Sequence, residues 1–110
     1  MTERKELGKI KSATFGMGGY QECQIGLWLS LGGESWGVST GEGAWGIERS
    51  DHCKWTEADR LTEAGKAAMK LAKLLQVAHR YAVQDLVGLP VEVTFEGNVL
   101  KDWRLLTEVM

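Results

Sequence analysis

The chain has 110 residues, 44% hydrophobic and 25% charged, which fits one domain with its own core and argues against disorder of the bulk. Its formal net charge of −2 argues against a dedicated duplex-DNA binder, because neutralising phosphates takes a marked basic excess. One small anionic ligand, needing only two or three local donors, remains possible on this balance.

Two cysteines, Cys23 and Cys53, make no disulfide-dense framework. No apolar stretch follows Met1-Thr2-Glu3-Arg4-Lys5-Glu6 as a secretory leader would require. No run approaches the ~20 apolar residues that span a bilayer. The expected location is therefore the cytoplasm, with no membrane partner.

Residues 1–8 read as a charged, frayed leader. β-prone residues at 9–15 open a first strand, and Gly16-Met17-Gly18-Gly19 breaks it. The clearest strand follows, where Cys23, Ile25, Leu27, Leu29 and Leu31 alternate with Gln24, Gly26, Trp28 and Ser30. Period two predicts one apolar and one mixed face. Gly32-Gly33-Glu34-Ser35 supplies a hairpin turn, and Trp36-Gly37-Val38 begins a third, shorter strand. Over 39–54 the periodicity disappears: Gly41, Gly43 and Gly46 surround Trp45, then Arg49, Ser50, Asp51 and His52 follow. A loop of ~15 residues in a compact domain is more often functional than connective.

Thr56-Glu57-Ala58-Asp59 marks a helix start, with Thr56 as cap and Asp59 in the return position. The helix runs to about Arg80 or Tyr81. Leu61, Ala64, Ala68, Leu71, Leu75 and Ala78 form its apolar stripe, and Lys66, Lys70 and Lys73 its wet side. After a short turn at Val83-Gln84-Asp85-Leu86 comes a last hairpin. Val91, Val93 and Phe95 alternate with Glu92, Thr94 and Glu96, and Glu96-Gly97-Asn98 makes the turn. The return strand, 99–109, sets Trp103, Leu105 and Thr107 opposite Arg104, Leu106 and Glu108. Val99 and Leu100 do not both fit that alternation, which predicts a bulge near Lys101-Asp102. The order β-β-β-α-β-β predicts a single α+β domain over 1–110, an antiparallel sheet of about five strands with one long helix packed on one face.

Residues 16–55 hold ten of the fourteen glycines and four of the five tryptophans. Glycines let a backbone approach a ligand and bare its amides. Indole faces stack on nucleobases and other flat groups, at about 1–3 kcal/mol per base. Arg49, His52 and Lys54 add charge suited to a phosphate. The alternative is that the glycines serve hairpins and bulges while the tryptophans fill the core. Trp28 is assigned to structure, and Trp36, Trp45 and Trp55 stand evenly between core and site. The candidate ligand-binding residues are thus Trp36, Trp45, Arg49, His52 and Trp55.

Other chemistries find less support. Cys23, His52, Cys53 and His79 match no zinc spacing, so neither metal nor cofactor is expected. Ser50-Asp51-His52 has the residue types of a triad, but neighbours on one loop are poorly placed for its relay. Gly16-Met17-Gly18-Gly19-Tyr20 opens a strand and not a helix, so it is no dinucleotide fingerprint. Glu92 and Glu96 share a solvated strand face. No enzyme is expected.

The stretch Gly88-Leu89-Pro90-Val91-Glu92-Val93-Thr94-Phe95-Glu96-Gly97-Asn98, with residues 104–109, Gly19-Tyr20-Gln21 and Ser50-Asp51-His52-Cys53-Lys54-Trp55-Thr56, resembles a small family common in phages and prophages. The order of elements, with Leu86-Val87-Gly88-Leu89-Pro90-Val91-Glu92-Val93 as the strand after the helix, is similar to a phage anti-Thoeris sponge family. Such sponges are oligomers that sequester cyclic nucleotide immune signals without cleaving them. The resemblance implies a phage-encoded anti-defence protein, homo-oligomeric, holding a cyclic nucleotide or ADP-ribose-derived ligand in the bacterial host cytoplasm. It transfers no binding residue. Two other functions remain open: an inhibitor that binds a host defence protein such as a CRISPR effector, and a phage accessory protein assembling through strand edges.

Overall fold

The computed structural model describes residues 3–18, 24–46 and 55–110. Its elements are β1 (Glu3–Gly18), β2 (Gln24–Gly32), β3 (Gly37–Gly46), α1 (Glu57–Ala78), β4 (Pro90–Glu96) and β5 (Val99–Leu105), with 3-10 turns at Val83–Leu86 and Thr107–Val109. The strands make one antiparallel sheet in the order β3-β2-β1-β4-β5. The α+β architecture read from the sequence is the one observed.

β1 is the spine of the sheet. Its second half pairs with β2, from Lys9 opposite Gly32 to Gly18 opposite Gln24. Its first half pairs with β4, from Glu3 opposite Glu96 to Lys9 opposite Pro90. The frayed leader expected at 1–8 is therefore corrected over residues 3–8, which are strand. The reason is that β4 buries Val91, Val93 and Phe95 and needs a hydrogen-bonding neighbour on both sides. A backbone ladder tolerates charge on its side chains. Those charges find partners of their own: Arg4 lies 4.8 Å over the Phe95 ring, Lys5 reaches Glu92 at 3.8 Å, and Glu3 pairs with Lys101.

β3 corrects a second expectation. Residues 39–46, read as the start of an irregular loop, continue the ladder with β2, Ser39 opposite Ser30 through Gly46 opposite Gln24. The register shifts between Ile25 and Leu27, and that bulge erases the alternation a period search looks for. On the other edge, Thr94 faces Asp102 while Phe95 faces Leu100. The bulge foreseen at Lys101-Asp102 is present, with Lys101 as the extra residue. β5 stops at Leu105 and a 3-10 turn over Thr107–Val109 follows, shorter than the expected strand to 109.

The helix begins as predicted. Asp59 N donates to Thr56 Oγ1 and Thr56 N donates to Asp59 Oδ2, a reciprocal cap. It ends two or three residues early because His79 turns into the left-handed region, φ 56° and ψ 46°, while its N–H and that of Arg80 close the last turn. The buried face also differs from the predicted stripe. Ala67 and Ala78 are fully buried, with Leu71, Leu74 and Leu75 against the core, whereas Leu61 is 67% exposed and Ala68 is exposed. An alanine-rich line presses on the sheet, and the helix meets β3 and β2. Ile10, Leu27, Leu29, Leu31, Val91, Val93, Phe95 and Leu105 complete the core, closed below by Leu86 and Leu89. No described helix is long and apolar enough to cross a membrane.

Candidate ligand-binding cleft

β3 and β5 are the two outer strands of the sheet, yet they touch. Glu42 of β3 lies opposite Leu27 and Trp103 of β5 lies opposite Val93, so both project from the face that carries the core. Trp103 Nε1 donates to Glu42 Oε1 at 3.0 Å. The sheet is thus curled toward α1, enough for its edges to be joined by a side-chain clasp. Thr40 Oγ1 donates to the same carboxylate oxygen at 3.3 Å, and Lys70 Nζ stands 4.0 Å from Glu42 Oε2.

Beside the clasp an open cleft of about 510 Å³ runs between β3, β5 and the helix, inside the roughly 300–1,000 Å³ usual for small-ligand sites. Leu27, Leu74, Val77 and Leu105 give it apolar walls, and Trp103 contributes an indole. Lys70, Lys73 and Arg104 supply positive charge, Glu42 and Asp102 negative. These charges are unevenly committed. Arg104 Nε donates to Glu92 at 3.2 Å and its Nη1 to Glu108 at 3.2 Å, and those carboxylates raise its pKa above the ordinary guanidinium value. Asp102 Oδ1 accepts from Trp103 N at 2.8 Å, holding the bulge. Lys73 makes no ion pair among the described residues, and Lys70 reaches its carboxylate only at the limit of contact. One ammonium group without an ion pair among the described residues and a second in a long contact with Glu42 thus stand beside an indole and an apolar wall.

The residues singled out from sequence are only partly gathered. Trp45 and Trp55 meet, ring centroids 4.8 Å apart and planes at 59°, just before the helix start. Trp45 lies opposite Ile25 and Glu42 opposite Leu27, so this aromatic pair continues the cleft's own strand on the same face. Trp36 stands at the far end of β3 and packs edge-on against Phe95, centroids 5.5 Å apart. It belongs to the wall of the core and is separated from the other two. Arg49 and His52 lie outside the described residues, as do Ser50, Asp51, Cys23 and Cys53. Among the described residues no three His, Cys, Asp or Glu side chains group around a possible metal ion.

Sequence reading passed over the cleft's principal residues. By spacing alone Lys70 and Lys73 belong to a solvated helix face and Trp103 to a strand. One signal was available: Glu42 is the sole carboxylate of β3, in a strand otherwise of glycine, small polar and apolar residues. Its partner across the cleft, 61 positions away, could not be read from spacing. A scan against protein-family models, a search of curated proteins and a search of solved structures each returned no match.

Proposed function

We propose that the protein is a non-enzymatic binding module that sequesters a small anionic ligand bearing a flat ring, of the cyclic-nucleotide or ADP-ribose-derived kind. The observation that carries this reading is Lys73, which has no ion pair among the described residues, and Lys70, held only 4.0 Å from Glu42, beside Trp103 and an apolar wall in one cleft. Phosphate favours the lysines, and a ring favours the apolar side and the indole. The adjacent Trp45–Trp55 pair offers further stacking surface to a ligand longer than the cleft. The phage-like sequence features support a setting in the cytoplasm of a bacterial host, where holding an immune signal without cleaving it blunts defence. The sponge resemblance adds a homo-oligomeric state.

Calorimetric titration with cyclic dinucleotides, cyclic ADP-ribose isomers and ADP-ribose tests the proposal. Saturable heat is expected with at least one of them, the ligand is recovered unchanged after the protein is denatured, and Lys70→Ala with Lys73→Ala weakens binding tenfold or more. No heat with any member of the set removes the reading, and recovery of a cleaved product replaces it with an enzyme.

A second reading is that the chain binds and blocks a host defence protein. It is favoured by exposed apolar side chains around the end of α1, where Tyr81 is 96% exposed and Val77 and Met110 line one hollow. A stoichiometric protein partner whose capture depends on Tyr81, with no small molecule bound, would select it.

A further inference from the structure

The sheet face turned away from α1 is built differently from the cleft. Trp28 lies there, opposite Thr14 of β1 and Gly41 of β3. Its Nε1 donates to Gly16 O at 2.9 Å, which fixes the ring and leaves it no unmet polar atom. The indole reaches across three strands: a Cβ on Gly18 would stand 2.6 Å from Trp28 Cε2, and one on Gly41 2.4 Å from Cζ3. Both distances are far inside contact, so the ring occupies space that only glycine leaves open.

One pleat along, the register sets three serines in a row across the same strands: Ser12 opposite Ser30, and Ser30 opposite Ser39. Neighbouring strands are about 4.8 Å apart, so the hydroxyls form a short ladder at that spacing. None of the three hydroxyls is held by another group among the described residues. Together with Thr14 and Trp28 they line a shallow depression of about 260 Å³ that contains no charged side chain.

We propose that this face is a saccharide-binding platform centred on Trp28. A pyranose presents an apolar C–H face, which packs on an indole. Its rim carries hydroxyls, each needing a partner that both donates and accepts, as serine and threonine do. The competing ligand classes fit less well. A phosphate would find no cation in the lining, and an apolar peptide would find one indole amid hydroxyls. This site is separate from the cleft on the opposite face and stands or falls independently of the nucleotide reading.

The test is affinity electrophoresis in native gels containing dextran, mannan or galactan, with titration of N-acetylglucosamine oligomers. Two variants accompany the parent chain: Trp28→Leu, and Ser30→Val with Ser39→Val, which keeps strand-compatible side chains if the indole change harms folding. Thermal melts establish that each is folded. Retardation or binding by at least one saccharide is expected, reduced at least fivefold by the folded serine variant and unaltered by Lys70→Ala with Lys73→Ala. Absence of binding to every saccharide overturns the proposal. So does binding that neither folded variant weakens, and so does a dimer that Trp28→Leu dissociates, since the face would then be an interface between copies.

Discussion

The two faces of this sheet reach close packing by opposite means. On the side toward α1, strands contribute aliphatic bulk: Leu27, Leu29 and Leu31 from β2 and Val91 and Val93 from β4 are all at most 2% exposed. On the other side, around Trp28, the neighbours contribute absence, and one large ring lies where Gly18 and Gly41 have no side chain. The lesson is directional. The inner face is sensitive to losing atoms, the outer face to gaining them.

The largest effect should come from the inner face. Leu29→Ala removes a fully packed side chain between β1 and β3, and a cost of about 2–5 kcal/mol in unfolding free energy is expected from denaturant titration. A loss well under 1 kcal/mol would mean that the inner face collapses around the gap and is not tightly packed.

Next is the outer face. Gly41→Val adds methyl groups against the benzo edge of Trp28, for an expected loss of about 1–3 kcal/mol. In a Trp28→Leu background the same substitution should cost much less, because the clash has been removed. Equal costs in both backgrounds would show that Gly41 is kept for another reason, and the contrast between the faces would fail.

A smaller effect is expected where the sheet's edges meet. Trp103→Phe removes the donor to Glu42 and should lower stability by about 1 kcal/mol, with a coupling to Glu42→Ala visible in a double-mutant cycle. Additive behaviour would mean that the clasp contributes nothing to the curl.

The smallest effect concerns the charged rim. Glu3 is held below the ordinary carboxylate range first by its hydrogen bond with Lys101 and then by that ammonium's charge. A depressed folded-state pKa contributes stability that is present above the unfolded value and is lost as pH falls through the folded one. The melting-temperature difference between the parent chain and Glu3→Gln should therefore be small and positive at neutral pH and shrink toward zero as acid protonates the Glu3 carboxylate. Both groups are exposed, so salt should shrink it as well. The raised pKa of Arg104 works in the other direction: its contribution is complete at neutral pH and is lost only in strong base.

Some of this was legible in the residues. The alternation at Ile25, Leu27, Leu29 and Leu31 gave β2 and its inner face, and Val91, Val93 and Phe95 gave β4. Thr56 and Asp59 gave the helix start, and the misfit of Val99 with Leu100 gave the bulge. Each is a local pattern written within a few positions. Residues 3–8 resemble a solvated leader because their charge hides a strand that pairs with β4. Residues 39–46 resemble a loop because glycines and a bulge hide a strand that pairs with β2. In both cases the partner, not the segment's own composition, decides the conformation. Of the tryptophans singled out, Trp45 and Trp55 meet and Trp36 packs against the core, while the cleft that gathers Lys70, Lys73 and Trp103 leaves no local pattern in the sequence.

By itself the sequence determined the fold class, the order of its elements, where the helix starts and which strand faces turn inward, since periodicity and caps act over neighbouring residues. Only the tertiary structure decided the strand order, the curl that joins Glu42 to Trp103, the cleft beside them and the serine row next to Trp28. Those depend on register and curvature, which arise when distant segments pair and no stretch of chain carries alone.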